Sequence, residues 1–131
     1  MSDNKPTDDN KDKLLEILDK CIIIKINGVS PSVYNRVRRC WGNSKNNAEH
    51  ADYVLAVLNG RIVGIFVPYE WFYTCDDEEC QKNECKHWPC KRIGFNGEEA
   101  SIELQKKYLN KYIPDSFMEP GPGAFRYTFK I

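Results

Sequence analysis

The chain has no apolar run approaching twenty residues, so no transmembrane helix and no membrane partner are expected. It has no excess charge of either sign, since nineteen basic residues balance nineteen acidic ones. A role on nucleic acid must then come from a local patch rather than from the net field. Histidine is scarce: His50 and His87 are the two copies. A glycine-rich phosphate loop, a nucleophile elbow and an H-E-x-x-H pair are all missing, and with them three common routes to catalysis. The opening stretch, MSDNKPTDDNKDK, has no apolar segment, so it does not read as a secretory signal. Residues 1–10 read instead as a disordered polar tail. Residues 11–131 are expected to form a single domain, long enough for one core. Without a signal the expected compartment is cytoplasmic and reducing, where cysteines are thiols or metal ligands before they are disulfides.

What the chain does have is one dominant stretch, Tyr53 to Trp71. Val54 to Leu58 and Ile62 to Val67 are nearly unbroken apolar runs flanking Asn59-Gly60. Asn-Gly fits a two-residue turn in which both central residues need positive φ. Strands with one wet face alternate in polarity, so these two should be covered on both faces. Gly64 interrupts the second run, and a mid-strand glycine marks a bulge or a close backbone approach. It is the first place to look for a ligand.

On either side the pattern changes period. Leu14, Leu15, Ile17 and Leu18 predict a short helix over Lys11 to Lys20. Cys21 to Ile26 reads as a strand. Ser30-Pro31 reads as a helix start, with Val33, Tyr34, Val37, Cys40 and Trp41 forming one face. Ser44 can cap a second short helix from Lys45 to Ala51. Arg92 to Phe95 reads as a strand closed by Asn96-Gly97, and Glu98 to Tyr112 as a helix stopped by Pro114. The end alternates, with Phe125, Tyr127, Phe129 and Ile131 on one face. The expected class is α+β: a small mixed β-barrel of about five strands, with helices packed outside.

An insert of different composition, residues 74–91, interrupts this order. Cys75, Cys80, Cys85 and Cys90 recur at five-residue intervals. On a helix that step turns about 140° past a full turn, so the four cannot share a face and must converge by wrapping a loop. Four thiolates suit a tetrahedral structural zinc, with His87 able to replace one. Free thiols and disulfides are the other two readings. Asp76, Asp77, Glu78, Glu79 and Glu84 make the insert acidic. Such a knob repels phosphates and suits contact with a protein partner.

The candidates for catalysis dissolve on inspection. Glu49 and Asp52 flank His50, but close neighbours on a helix do not face one another. Cys40 follows two arginines, which lower a thiol pKa, yet it falls on the apolar helix face and reads as packing. The expectation is a protein that is not an enzyme.

The run R-x-x-W-x-x-S-x-x-x-A-x-x-A-D-Y-V-L-A-V is carried by Arg38, Trp41, Ser44, Ala48, Ala51 and Asp52 to Val57. It continues through the N-G-R-I-V-G-I-F hairpin, Trp71, R-I-G-F-N-G-E and a closing G-A-F-R-Y. This pattern resembles the region that accompanies GIY-YIG nuclease domains in a group of bacterial proteins. The layout is also similar to PUA-like small barrels, the group that includes ASCH and EVE domains. No GIY or YIG tripeptide and no G-x-K-x-x-E-x-R signature occurs here, so nuclease activity does not carry over. The resemblance implies a barrel that binds RNA, DNA or a modified nucleotide. Arg36, Arg38, Arg39 and Lys45 would contact phosphate, Trp41 or Trp71 would stack a base, and Arg126 lies on the last strand. The plainer reading makes the tryptophans core residues and the arginines a solvated face. The competing function is a zinc-stabilised accessory protein, phage- or defence-related, that binds a protein partner through the acidic insert.

Overall fold

Asn59 and Gly60 both adopt positive φ, 52° and 83°, as a primed two-residue turn requires. They join β2 (Tyr53–Leu58) to β3 (Arg61–Tyr73), the hairpin expected from the sequence. A computed structural model describes residues 13–38, 41–74, 92–118 and 124–130. The polar tail, Arg39, Cys40 and the cysteine insert, with Cys75, Cys80, Cys85, His87 and Cys90, lie outside the described residues.

Around the hairpin the order is β1 (Cys21–Lys25), α1 (Val33–Val37), α2 (Lys45–Ala48), β2, β3, β4 (Ile93–Glu99), α3 (Ile102–Tyr108), α4 (Asp115–Met118) and β5 (Phe125–Tyr127). The five strands form one sheet in the order β4-β3-β2-β1-β5. β1 runs parallel to β2, with Cys21 opposite Tyr53, and the other pairings are antiparallel. A parallel pair needs a crossover, which the segment carrying α1 and α2 supplies.

The α+β class stands, but the expected barrel does not form. The sheet is open, with β4 and β5 at opposite ends. The outer edge of β4 is already used. Ile93 N–H donates to Trp41 O at 2.8 Å, Phe95 N–H to Arg38 O at 2.7 Å, and Gly97 N–H to the Tyr34 hydroxyl at 3.0 Å. An edge whose donors are satisfied by a loop has nothing left to pair with another strand.

The same competition shortens the helices. The face predicted from Val33 to Trp41 ends at Val37, because Arg38 and Trp41 give their backbone groups to β4. Ser32, not Ser30, caps α1 by accepting from Asn35 N–H at 3.1 Å. Ser44 caps α2 as expected, accepting from Asn47 N–H at 3.2 Å. Glu98 and Glu99 extend β4 opposite Val67 and Phe66 rather than starting a helix, and Ser101 becomes the cap of α3. Residues 13–20 are not helical. Leu14 N–H donates to Tyr112 O at 2.9 Å and Ile17 is buried, while Leu15 and Leu18 are exposed. A helix that short is marginal alone, and the backbone partner at Tyr112 replaces it.

Both faces of the sheet are covered, as the unbroken apolar runs require. Ile22, Ile24, Val54, Ala56, Phe66, Trp71 and Phe95 belong to one core beneath α1 and α2. Cys21, Ile23, Leu55, Val57, Ile62, Ile65 and Tyr108 belong to the other, beneath α3. Among the described residues no helix is long and apolar enough to cross a membrane.

Candidate functional site

Gly64 sits at a bulge. Ala56 is opposite Gly64 while Val57 is opposite Ile62, so Val63 is the extra residue. A Cβ at Gly64 would lie 2.8 Å from Val33 Cγ1 and 2.9 Å from Phe66 Cε2. The glycine therefore lets α1 approach the strand. A second irregularity follows on β3, where Pro68 is opposite Gly97 and Glu70 opposite Asn96, leaving Tyr69 as the extra residue. A Cβ at Gly97 would meet the Val67 carbonyl oxygen at 2.2 Å, so only glycine fits.

Between these two irregularities opens a cavity of about 480 Å³, lined by Ser32, Val33, Tyr34, Val63, Gly64, Phe66, Gly97, Glu98 and Glu99. Its size lies within the usual range for small-molecule pockets, about 300–1,000 Å³. Tyr34 is fixed from three sides. Its hydroxyl accepts from Gly97 N–H, and its ring lies 5.4 Å from that of Phe66 and 5.9 Å from that of Phe95. The Arg38 guanidinium sits over the same ring at 5.3 Å. Arg38 also donates to Asn96 Oδ1 at 2.7 Å, and Asn96 donates to Glu70 Oε1 at 2.9 Å. A second cavity of about 440 Å³, lined by Glu49, Ala51, Pro68, Tyr69, Glu70 and Trp71, lies along the β3 bulge.

The residues singled out in the sequence are only partly brought together. Trp41 packs on the first core and donates its indole N–H to Val37 O at 2.7 Å. Trp71 lies in the same core, 6% exposed, with its ring 5.0 Å from Phe95 and 6.3 Å from Phe125. Both tryptophans thus serve packing. Arg38 is half-buried against the Tyr34 ring, and Arg36 is exposed on α1. Lys45 pairs with Glu49 at 3.0 Å and lies 5.9 Å from the Tyr73 ring centre. Arg126 is opposite Ile23, a residue of the second core, so it faces away from Trp41 and Trp71. It donates to Ser116 O at 3.4 Å.

Tyr34, Asn96, Gly97 and Glu99 were not singled out by the sequence as site residues. Gly64 was the usable signal for their location, because a glycine inside an apolar strand implies close approach by something. Asn96-Gly97 looked like a turn, and nothing local distinguishes a turn glycine from one forced by a neighbouring carbonyl.

The titratable groups argue against a thiol nucleophile in the described core. Burial first, and then Asp19 and Asp52, push the Cys21 thiol up to about 12; such a thiol carries no thiolate at neutral pH. Burial likewise pushes Tyr127 up to about 12, and its hydroxyl donates to Asn43 Oδ1 at 2.8 Å. Tyr69 is raised by its hydrogen bond to the Glu98 carboxylate. Among the described residues no group of three or more His, Cys, Asp or Glu side chains gathers to hold a metal.

Comparisons with protein-family models, with curated proteins and with solved structures each found no match. The likeness to the GIY-YIG-associated region therefore stands on the quoted residues alone.

Proposed function

We propose that the chain is a non-enzymatic module that binds nucleic acid or a modified nucleotide by taking one unpaired base into the cavity beside Gly64. The observation that carries this reading is the cavity itself: a cleft of about 480 Å³ with Tyr34 and Phe66 as aromatic wall and Glu99 at its rim. Aromatic and apolar walls with a few polar groups suit a base removed from its stack. The carboxylates at the mouth disfavour phosphate there, so the backbone of a bound strand would run outside it. Exposed Arg36 is the phosphate contact of this reading. Arg38 acts at one remove, holding the Tyr34 ring and Asn96, and Trp71 packs on Phe95, which in turn packs on Tyr34. Titration of labelled single-stranded RNA and DNA at two salt concentrations tests it. Binding should weaken with salt, and Arg36→Ala should reduce the log–log slope by roughly one. Salt-insensitive or absent binding contradicts the proposal.

A second reading, a zinc-stabilised element that binds a protein partner, is favoured by one observation. Thr74 N–H donates to Arg92 O at 2.9 Å, and Tyr73 is opposite Ile93. The chain leaves the sheet after Tyr73 and rejoins it at Ile93, directly opposite. In this reading Cys75, Cys80, Cys85 and Cys90, with His87 as substitute, hold one structural Zn²⁺ in a reducing compartment such as the cytoplasm. Elemental analysis of purified protein should give one zinc per chain; protein free of zinc contradicts it.

A further inference from the structure

The cavity beside Gly64 is lined by two hydroxyls and two carboxylates, from Ser32, Tyr34, Glu98 and Glu99. The Tyr34 oxygen accepts from Gly97 N–H at 3.0 Å, which leaves the phenolic hydrogen to be donated elsewhere. The Ser32 oxygen accepts from Asn35 N–H, which likewise leaves its hydroxyl hydrogen to be donated. Glu99 is directly opposite Phe66, and residues directly opposite one another project from the same face of a sheet. Phe66 belongs to the first core and lines the cavity, so Glu99 shares the cavity's face. Glu98 is opposite Val67, alternates to the other face and is hydrogen-bonded by Tyr69. Of the two lining carboxylates Glu99 is the one on the cavity's face, and Tyr34 stands on the cavity's aromatic wall with a hydrogen to donate.

Resting on the base-pocket reading above, we infer that Glu99 reads an N–H on the Watson–Crick edge of the bound base while Tyr34 donates to the acceptor beside it. Each standard base presents such a pair: N3–H and O4 in uracil, N4–H and N3 in cytosine, N6–H and N1 in adenine, N1–H and O6 in guanine. The ligand class is then any unpaired base whose edge is free. A duplex base is excluded because its partner occupies that edge. A uracil methylated at N3 or a guanine methylated at N1 is excluded, because that ring nitrogen then has no N–H and the carboxylate faces a methyl group with its hydrogen bond unmade.

The test is an NMR titration of the intact chain with uridine and with N3-methyluridine, on the wild type and on Glu99→Ala. Glu99 is exposed, and an unchanged melting temperature shows that the variant is folded. Wild type should bind uridine about tenfold more tightly than N3-methyluridine, the ratio that one charge-assisted hydrogen bond supplies. Glu99→Ala should lose that preference. Equal binding of the two nucleosides by the wild type, or a preference that survives in Glu99→Ala, overturns the role of Glu99 and leaves the base pocket standing. Failure to bind either nucleoside overturns both.

Discussion

At the scale of single residues, two glycines shape the cavity, and they do so against different neighbours. A Cβ on Gly97 meets backbone, the Val67 carbonyl oxygen at 2.2 Å and Pro68 Cα at 3.0 Å. Neither can move without opening the β3–β4 ladder. A Cβ on Gly64 meets side-chain atoms of Val33 and Phe66, which can shift. Gly97→Ala should therefore cost more than about 2 kcal/mol of unfolding free energy, and Gly64→Ala about 1–2 kcal/mol. Denaturant titration of the two variants checks the order; Gly97→Ala as stable as the wild type would contradict it. This difference was not legible in the sequence. Gly64 lies between Val63 and Ile65 and Gly97 between Asn96 and Glu98, but only the strand register reveals which one faces a carbonyl.

At the scale of elements, the segment before β1 is tied to α3 and to the chain after β5 through Asp19. Its carboxylate accepts from the Tyr108 hydroxyl and from Lys107. Its carbonyl accepts from Thr128 Oγ1 at 3.0 Å, and that hydroxyl oxygen accepts from Cys21 N–H at 2.9 Å. The Tyr108 hydroxyl first, and then Lys107, hold the Asp19 carboxyl below its ordinary value. A depressed carboxylate contributes stability that is present above its unfolded pKa of about 3.9 and is lost as pH falls through the folded value. Tyr108 is raised, by burial first and then by Asp19, and Cys21 and Tyr127 are pushed up to about 12. Raised groups contribute stability that is fully present below their unfolded values, about 8.5 for Cys and 10 for Tyr, and is lost as pH rises beyond them. Urea midpoints should form a plateau between about pH 5 and 8 and fall on both sides. Asp19→Asn should flatten the acid limb; an unchanged acid limb in that variant would contradict the assignment.

The elements also show how far the sequence could be read. The hairpin was legible because its turn chemistry and its two apolar runs are local properties. The face of the last strand was legible as well: Phe125, Tyr127 and Phe129 pack on the first core. The helix before β1 and the long form of α1 were not. Their apolar spacing was helical, but their backbone groups had better partners at Tyr112 and on β4, and that competition is decided by tertiary contacts. The barrel failed for the same reason, since whether β4 has free donors depends on where Arg38 and Trp41 fall.

For the whole molecule, a core covers each face of the sheet, and the proposed site is built on the first face. The basic patch expected to hold phosphate is mostly committed to partners within the chain: Arg38 to Asn96 and the Tyr34 ring, Lys45 to Glu49, Arg126 to Ser116. The cavity between the two strand irregularities is the feature on which the proposed function rests. The most direct measurement is an amide chemical-shift map of the intact chain during titration with a short single-stranded RNA. Base capture beside Gly64 predicts saturable shifts concentrated at Tyr34, Gly64, Phe66, Gly97 and Glu99. Shifts confined to other surfaces, or none at saturating RNA, would contradict it.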